Sequence, residues 1–365
     1  MRDNAIDVTE LCRNCLMCRH VCPVGNITRM ETLTPHGWAQ LVSLERRGLS
    51  TWNAESVDAL YKCADCGNCE THCVYDNPLP DGIVAARAVV AEKGLAPMVV
   101  YDLEREFHDW ENPFVRQRPQ PVEGMGEAAL FVGDEVHHRS PKTLAAALTL
   151  LKAVGIEPVL IGRGRNNGYL ASSLGLRSVA RELAVANLAE LTTTGAARLF
   201  VLSPGDSYTF TRMYQERLGI SIPNAVDVLE VAPFLAGELG QGRLHLNRVE
   251  SALRYAYVDP THSVRMLGRY SAPRELLEAV LPEAARELFW RDQRAYPCGD
   301  LALEFTQPQI ADALTQARLA DAVDAGAQCV ITEGAGSLLH LERHASAYDL
   351  QARGLFELLA EQLAR

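Results

Sequence analysis

The segment CRNCLMCRHVCP at residues 12–23 shares its cysteine spacing with CADCGNCETHC at residues 63–73. Both segments follow the pattern C-x2-C-x2-C-x3-C, and together they contain eight of the ten cysteines in the chain. Three thiolates spaced two residues apart on a tight loop can bind three corners of one iron–sulfur cube, and the fourth, after a longer gap, points away from it. The pattern therefore predicts two cluster-binding loops, around which the first hundred residues are arranged.

The fourth cysteine of each motif decides how the ligands are shared. In two-cluster ferredoxins it binds the cluster of the other motif, and the Cys-Pro pair that ends the first segment is typical of bacterial ferredoxins. We therefore predict two [4Fe–4S] clusters with crossed ligation, about 12 Å apart. The predicted ligands of the first cluster are Cys12, Cys15, Cys18 and Cys73. Those of the second cluster are Cys63, Cys66, Cys69 and Cys22.

Zinc binding and disulfide formation are other common uses of closely spaced cysteines. Structural zinc is held by C-x2-C pairs, and the third and fourth cysteines in this rhythm exceed what a tetrahedral zinc ion needs. Disulfides require an oxidising compartment, and residues 1–7 contain no apolar run that could act as a secretory signal. The cysteine pattern thus favours iron–sulfur clusters over both alternatives.

The composition restricts the partners and the compartment that we expect. The formal net charge is −11, which argues against nucleic acid as a main partner. Hydrophobic residues make up 48% of the chain, but no stretch approaches the length of apolar sequence needed to span a bilayer, so we expect no direct membrane insertion. Because thiolate-bound clusters are sensitive to oxygen, we expect a cytoplasmic protein.

The first part of the chain has a helical pattern that ends in a run of helix-breaking residues. Residues 1–100 are predicted to form an α-helical ferredoxin domain, because the 40-residue spacer between the motifs has helical periodicity. Residues 101–127 contain Asn-Pro, Arg-Pro and Gln-Pro pairs and two glycines. This composition indicates a linker.

From residue 128 the sequence alternates between strand-like and helix-like segments, which predicts parallel sheets covered by helices. Strands are predicted at residues 128–133, 158–161, 198–202, 254–258 and 328–332. Turns with similar spacing recur in both halves, at Asp134, Asn167 and Ser203 and at Thr261, Cys298 and Glu333. We therefore predict an α + α/β protein in which two repeated α/β half-domains, residues 128–245 and 246–365, direct their turns into a shared cleft.

The whole chain resembles the iron–sulfur subunits of glycolate oxidase, anaerobic glycerol-3-phosphate dehydrogenase and heterodisulfide reductase. The N-terminal resemblance lies in the two cysteine motifs and in DGIVAAR at residues 81–87. The C-terminal resemblance is to the cysteine-rich CCG repeat, which occurs twice in such proteins, and lies in YVDPTH at 257–262 and LEFTQPQIA at 303–311. The resemblance implies a two-cluster ferredoxin domain followed by two CCG-like half-domains.

The CCG-like half-domains of this chain lack most of the cysteines that can carry a metal in the family. Of the aligned cysteine positions only Cys298 is still a cysteine, and one thiolate cannot hold an iron–sulfur cluster. Polar residues at or near the emptied positions form a candidate second site: Asp134, Asn166, Asn167, Asp206, His262, Cys298 and Glu333. This cleft would be either a docking platform for a partner subunit or a site for a small molecule, a flavin or another metal.

These features predict an iron–sulfur electron-transfer subunit of an oxidoreductase complex. A flavoprotein dehydrogenase subunit, carrying FAD or FMN, would oxidise a substrate, and electrons would pass singly through the two clusters to a further acceptor protein. The chain would then bind no substrate itself and would work in a hetero-oligomer. In the alternative interpretation, a reductase or demethylase subunit binds its substrate or a flavin in its own α/β cleft beside the clusters.

Overall fold

The computed structural model describes residues 5–250 and 252–364. The first part is helical, with short 3-10 helices at Ala5–Leu11 and Glu31–Leu33. Its α-helices are α1 (Pro23–Thr28), α2 (Pro35–Arg46), α3 (Ala54–Leu60), α4 (Asn68–Thr71), α5 (Leu79–Glu92) and α6 (Met98–Trp110). Helix α6 extends into the segment 101–127 that the sequence indicates as a linker, and the rest of that segment is irregular.

The second part contains strands with intervening helices. The described strands are β1 (Ala128–Val132), β2 (Val159–Arg163), β3 (Arg198–Val201), β4 (Asp227–Glu230), β5 (Tyr255–Tyr257), β6 (Cys329–Thr332) and β7 (Gln351–Gly354). The α-helices are α7 (Gly133–Arg139), α8 (Pro141–Ala153), α9 (Tyr169–Ser173), α10 (Arg177–Thr194), α11 (Pro204–Tyr208), α12 (Val231–Gly240), α13 (Ala272–Val280), α14 (Ala302–Thr306), α15 (Pro308–Asp324), α16 (Ala335–Ala345) and α17 (Leu355–Glu361). Two π-helical segments lie at Thr209–Leu218 and His262–Met266.

The spacer between the cysteine motifs is fixed by a helix cap and by buried aromatic side chains. Asn53 accepts a hydrogen bond from the backbone N–H of Ser56 at 2.9 Å, and the Ser56 hydroxyl accepts one from the backbone N–H of Asn53. This capping box determines where α3 begins. Trp38 of α2 and Tyr61 after α3 are buried among the helices. The spacer is therefore part of the helical core and holds the two motifs at a fixed separation.

The first sheet is parallel and has the strand order β2-β1-β3-β4. Leu130 of β1 pairs with Leu160 of β2 and with Phe200 of β3, so the apolar segments form the centre of the sheet. The sequence predicts β1, β2 and β3 to within two residues at each end. It does not predict β4, which is the edge strand next to β3.

The second sheet is also parallel and has the strand order β5-β6-β7. The predicted strands at 254–258 and 328–332 correspond to β5 and β6, whereas the edge strand β7 is not predicted. Each sheet contains three neighbouring parallel strands that follow one another across the sheet in the order of the chain. These are β1, β3 and β4 in the first sheet and β5, β6 and β7 in the second. Among the described residues 252–364, no strand corresponds to β2. The helical first part and the two parallel sheets confirm the coarse fold class, and the repeat of two half-domains stays a prediction.

One hydrophobic core joins the two sheets. Phe200 of β3 and Leu235 of α12 are buried in the same cluster as Leu276 of α13 and Phe356 of α17. Helix α8 packs against α17 and α12 packs against α13, so helices from both halves form a common layer. This shared packing fixes the strand ends of one sheet relative to those of the other.

A second core connects the helical part to the α/β part. Ile83 of α5 is buried with Leu170 and Leu174 of the α9 region. A Cβ at the following residue, Gly175, would lie 2.6 Å from the backbone of Arg87. The φ angle of Gly175 is +88°, so both the conformation and the close contact require glycine here. The helical part is thus packed directly against the α/β part.

Candidate cluster sites and the adjoining cleft

The two cysteine motifs adopt the same backbone conformation. Asn14 and Leu16 of the first motif have positive φ angles of 53° and 63°, and Asp65 and Gly67 at the equivalent positions of the second have 48° and 75°. Left-handed residues in such turns direct successive backbone N–H groups toward one point, as in many iron–sulfur and phosphate sites. Leucine rarely adopts this conformation, so at Leu16 the geometry of the loop overrides the preference of the residue.

The thiols of the first predicted set surround one small cavity. Its lining includes Cys12, Cys15, Cys18 and Cys73, and Cys69 also reaches it. The pKa of Cys18 is raised to about 11, first by burial and then by the nearby thiols of Cys12, Cys73 and Cys15. The last cysteine of the second motif therefore lies beside the first three cysteines of the first motif.

The thiols of the second predicted set surround another cavity. Its lining includes Cys22, Cys63, Cys66 and Cys69. Burial raises the pKa of Cys63 to about 12. Burial also raises the pKa of Cys22 well above its ordinary value, with smaller contributions from Cys66 and Cys63. The Cys22 sulfur accepts a hydrogen bond from the backbone N–H of Gly25 at 3.4 Å, so the last cysteine of the first motif is held beside the second motif at the start of α1.

Each set of thiols fits an iron–sulfur cluster better than it fits a single ion. Within residues 5–250 and 252–364, no three His, Cys, Asp or Glu side chains converge closely enough to hold one metal ion. A four-iron cluster is larger than an ion and takes one thiolate at each iron, so its ligands stand further apart. Each predicted set supplies four thiols at its cavity, which is the donor type and the donor number that a [4Fe–4S] cluster requires.

A positively charged side chain lies next to the second set of thiols. Arg265 donates from Nε to the carbonyl of Cys66 at 2.7 Å and from Nη1 to the carbonyl of Ala295 at 2.6 Å. Its Nη2 is buried without a hydrogen-bond partner among the described residues. Burial lowers the pKa of Arg265, while Cys66 and Cys69 oppose that shift. A buried cation at this position suits the negative charge of thiolate ligands.

The second cysteine motif is also held by residues of the α/β part. Arg217 forms an ion pair with Asp65, with 3.0 Å between Nη1 and Oδ2, and both side chains are buried. Tyr169 donates its hydroxyl to the same carboxylate at 3.0 Å. Burial alone would raise the pKa of Asp65, but Arg217 outweighs it, so the pKa is lowered and the carboxylate stays charged. This pair fastens the loop between Cys63 and Cys66 to the rest of the molecule.

A cleft of about 140 Å³ lies where the strand ends of both sheets meet the second cysteine motif. Its lining includes residues that follow β1, β2, β3, β5 and β6, together with Cys66. Open α/β sheets bind ligands at the carboxyl ends of their strands. The volume, counted as the space open to the centre of a water molecule, is roughly ten times what one water needs. The cleft therefore has room for a small molecule.

Six of the seven side chains predicted for a second site line this cleft: Asp134, Asn166, Asn167, Asp206, His262 and Cys298. Hydrogen bonds connect them in pairs, from Asn166 to Asp134 at 2.8 Å and from Asn167 to Asp206 at 2.7 Å. Glu333 is not part of the lining, and its carboxylate accepts a hydrogen bond from the Tyr257 hydroxyl at 2.9 Å. The converging strand ends thus bring together side chains that are far apart in the sequence.

Sequence reasoning did not assign several residues that line the cleft, among them Glu135, Asp300 and Cys66. Glu135 and Asp300 lie within two positions of Asp134 and Cys298, and that proximity is the signal that could have found them. Cys66 borders the cleft as well as the second thiol cavity. No local pattern indicates this double role, because it arises from the packing of the helical part against the α/β part.

Comparison with known proteins shows which proteins this chain is similar to. Residues 8–77 match the 4Fe-4S dicluster domain family, a range that contains both cysteine motifs. The chain is 22% identical over 332 residues to the D subunit of the dihydromethanophenazine:CoB–CoM heterodisulfide reductase of Methanosarcina barkeri, covering 85% of this chain and 79% of that protein. The chain is thus similar along most of its length to a subunit of heterodisulfide reductase. The corresponding protein of Methanosarcina mazei is also 22% identical, over 62% of this chain and 58% of that protein. The predicted resemblance to iron–sulfur subunits of this kind is therefore confirmed.

Two further similarities extend the comparison. It is 26% identical over 267 residues to a protein of Chromohalobacter salexigens named "Probable membrane-anchored ferredoxin", covering 67% of this chain and 38% of that protein. In the described part of the chain, no helix has the length and apolar character needed to cross a membrane. A crystal structure of a hypothetical protein from Helicobacter pylori matches all of this chain and 73% of that chain, with a TM-score of 0.65 and 9% identity. The latter similarity concerns the fold alone.

Proposed function

We propose that this protein is the electron-transfer subunit of a cytoplasmic oxidoreductase complex and relays single electrons through two [4Fe–4S] clusters. The observation that carries the proposal is the grouping of the thiols into two sets, each with three cysteines of one motif and the last cysteine of the other. The first cluster would be held by Cys12, Cys15, Cys18 and Cys73. The second would be held by Cys63, Cys66, Cys69 and Cys22. Bound clusters of this type supply one-electron carriage over a wide range of potentials.

An exposed apolar surface around the first set of thiols fits a partner subunit. Leu16 and Met17 are 42% and 47% exposed, and Val74 and Tyr75 are 63% and 59% exposed. Cys15 is itself exposed, whereas Cys22 and Cys63 of the second set are buried. Grouped apolar side chains at a surface are typical of protein interfaces. A flavoprotein dehydrogenase subunit carrying FAD or FMN would dock here in a hetero-oligomer, and a further acceptor protein would complete the relay.

The domain organisation belongs to the same proposal. We assign residues 1–100 to the ferredoxin domain, residues 101–127 to the linker, and residues 128–245 and 246–365 to two degenerate CCG-like repeats. The common order of β1-β3-β4 and β5-β6-β7 supports the repeat. The names of the two Methanosarcina relatives indicate that those proteins are parts of an enzyme with several subunits, which supports work in a complex for this chain.

A second candidate function places the chemistry in the cleft of the chain itself. In this case the protein is a reductase or demethylase subunit that binds its substrate or a flavin beside the clusters. The observation in its favour is that Cys66 lines both the cleft and the second thiol cavity. A molecule in the cleft would therefore lie next to one of the proposed cluster ligands.

Analysis of anaerobically purified protein for iron, acid-labile sulfide, zinc and flavin tests the proposal. We expect about eight irons and about eight sulfides per chain, with neither zinc nor flavin. Cys22→Ala removes a ligand of the second set and should leave about four irons. Cys298→Ala alters a buried thiol outside both sets and should keep all of them.

The results separate the two candidate functions. An unchanged iron content in Cys22→Ala, or stoichiometric zinc in the wild-type protein, would contradict the two-cluster relay. Stoichiometric flavin on the isolated chain would favour the second candidate function over the first.

A further inference from the structure

The cleft at the strand ends carries an excess of acidic groups. Its lining contains seven carboxyl side chains, and neither lysine nor arginine is among the lining residues in the described chain. Three of the carboxylates are neutralised by arginines outside the lining: Asp65 by Arg217 at 3.0 Å, Asp259 by Arg274 at 2.7 Å and Glu304 by Arg139 at 2.8 Å. A fourth, Glu135, shares Arg139 with Glu304 at 3.4 Å. The remaining three are not neutralised in this way.

Asp134, Asp206 and Asp300 are held by neutral donors. Asp134 accepts a hydrogen bond from Asn166 at 2.8 Å, Asp206 accepts bonds from Asn167 and Ser203 at 2.7 Å each, and Asp300 accepts one from Ser337 at 3.0 Å. Within residues 5–250 and 252–364, none of the three has a basic partner within 4.0 Å. Burial raises the pKa of Asp134 to about 6 and raises the pKa values of Asp206 and Asp300. These three carboxyls therefore line the cleft with neutral hydrogen-bond donors as their partners.

His262 gives an independent indication of a ligand. It is 8% exposed, it lines the cleft, and its Nε2 is buried without a hydrogen-bond partner in the described part of the chain. The rings of Tyr169 and Tyr208 flank it, with centroid distances of 5.0 and 5.4 Å. Burial lowers the pKa of His262 to about 4, so the imidazole is neutral and can accept a hydrogen bond. Buried polar atoms in proteins normally have a partner, and a ligand with an N–H or O–H group would supply it.

The lining also limits the class of ligand. Flavin nucleotides carry phosphate, which proteins usually bind with arginine or lysine, and the lining contains neither. A metal ion needs several convergent ligands, and the described residues contain no group of three that could hold one. A positively charged amine suits carboxylates and aromatic rings, and the cleft provides both.

We propose that this cleft binds a small organic cation through Asp134, Asp206 and Asp300, with His262 as an additional hydrogen-bonding or packing partner. Protonated and quaternary amines share this chemistry. The proposal goes beyond the electron relay and does not depend on it, because none of these four side chains belongs to either thiol set. Cys66 borders the same cleft, so the cation would be bound next to the second predicted cluster.

Isothermal titration calorimetry on the full chain with its metal content intact tests the proposal. Ethanolamine serves as the protonated amine and choline as the quaternary amine, while 3,3-dimethylbutan-1-ol is a neutral analogue of choline with the same shape. Inorganic phosphate serves as an anionic probe. We expect one site per chain for at least one of the two cations, at least about tenfold tighter than for the neutral analogue, which corresponds to ~1.4 kcal/mol, and no binding of phosphate.

Two variants locate the site. Asp300→Asn preserves the size of the side chain but removes its charge, and should weaken cation binding about tenfold. Asp102→Asn is the matched control, because it removes the same charge from a side chain on α6 that is 55% exposed. Its affinity should equal that of the wild-type protein. Iron content and the thermal unfolding midpoint show whether each variant is folded, and Asp206→Asn replaces Asp300→Asn if the latter does not fold.

Several outcomes would overturn the proposal. The proposal is wrong if neither ethanolamine nor choline binds more tightly than the neutral analogue, or if neither cation binds up to about 10 mM. Tighter binding of phosphate than of either cation would reverse the inferred charge preference. Unchanged cation affinity in folded Asp300→Asn and Asp206→Asn would place the binding elsewhere. The comparison of the two cations with the neutral analogue and with phosphate uses the wild-type protein alone. It therefore tests the proposal even if both variants fail to fold.

Discussion

At the scale of single residues, Arg265 of the α/β part lies where it can change the reduction potential of a cluster bound by the second thiol set. Its guanidinium binds the carbonyl of Cys66 and keeps one nitrogen buried without a hydrogen-bond partner among the described residues. Reduction of a cluster adds one negative charge, which a nearby cation stabilises. A unit charge acting over about 8 Å at an effective dielectric constant of about 20 contributes roughly 2 kcal/mol. Arg265 should therefore raise the reduction potential of the proposed second cluster.

Replacing Arg265 with glutamine should lower that potential by about 50 to 100 mV, because ~1.4 kcal/mol corresponds to ~59 mV for one electron. A redox titration followed by EPR measures the change. Arg265→Lys keeps the charge and should restore most of the potential. Arg105→Gln removes the charge of an arginine that is 65% exposed on α6 and should have no effect. An unchanged potential in Arg265→Gln with full iron content would contradict this role.

The spacing of the cysteines is sufficient to predict the thiol sets, because a repeated local pattern specifies both loops. Arg265 could not be predicted in this way, since it lies 199 positions from Cys66 and reaches it only through tertiary packing. Asp134 and His262 were predicted from their positions after strands. Their convergence follows from the general rule that the carboxyl ends of parallel strands meet at one edge of a sheet. The acidic excess of the cleft, by contrast, becomes visible only when the contacts of each side chain are known.

At the scale of secondary structure elements, the turn after α9 is a point of close contact with α5. A Cβ at Gly175 would lie 2.6 Å from the backbone of Arg87 and of Ala88, and φ at this glycine is +88°. Gly175→Ala should lower the free energy of unfolding by about 2–4 kcal/mol, since strain and overpacking each cost about 1–3 kcal/mol. The midpoint of thermal unfolding at a fixed scan rate measures the effect.

Gly94→Ala is the control that separates the cost of the close contact at Gly175 from the cost of a positive φ angle. Gly94 also has a positive φ, +75°, but a Cβ there would meet no atom within 4 Å. We expect this variant to lose only the conformational part, about 1 kcal/mol. Equal losses in Gly94→Ala and Gly175→Ala would mean that the contact between α5 and the α9 turn adds nothing to stability.

The strands that the sequence did not predict share a physical cause. The segments of β4 and β7 read DVLE and QARG, and both strands lie at the edge of a sheet. An edge strand has one partner strand and is partly exposed, so it tolerates charged residues and lacks the continuous apolar run of a central strand. The central strands β1, β3 and β6 are apolar throughout or nearly so, which is why the sequence predicts them well.

At the scale of the whole molecule, acidic side chains from the two sheets approach each other at the strand ends. Glu333 follows β6, and burial raises its pKa to about 8, with a further contribution from Glu230 at the end of β4. Tyr257 and Asp259 are its other close titratable neighbours. Because the folded protein binds a proton at Glu333 that the unfolded chain releases near pH 4.5, stability should fall as the pH rises from about 4.5 to about 8.

Glu333→Gln removes this titration and should flatten the decline in the thermal unfolding midpoint between about pH 6 and about pH 8. Each pKa unit corresponds to about 1.4 kcal/mol, so the contribution is on the order of a few kcal/mol. Glu157→Gln alters a side chain that is 76% exposed and should retain the wild-type slope. The same slope in Glu333→Gln as in the wild-type protein would disprove the assignment.

The sequence predicts a helical part and an α/β part, but it does not predict how closely they are joined. Local periodicity contains no information about contacts between residues that are far apart in the sequence. The core around Ile83 and Leu174 and the position of Cys66 at the cleft both depend on such contacts. The coarse architecture therefore follows from the sequence, and the relation between the cluster sites and the cleft requires the structure.

The buried pair of Asp65 and Arg217 has a consequence for how the gene can evolve. A recombination that moved the cysteine-rich segment onto another scaffold would separate the two charges and leave Asp65 without its partner. The same pair gives the α/β part a structural role that needs no metal of its own, since that part supplies Arg217 and Tyr169 to the second motif. Selection on the redox segment alone would thus preserve the fold of the attached half while its cleft is free to acquire a new ligand.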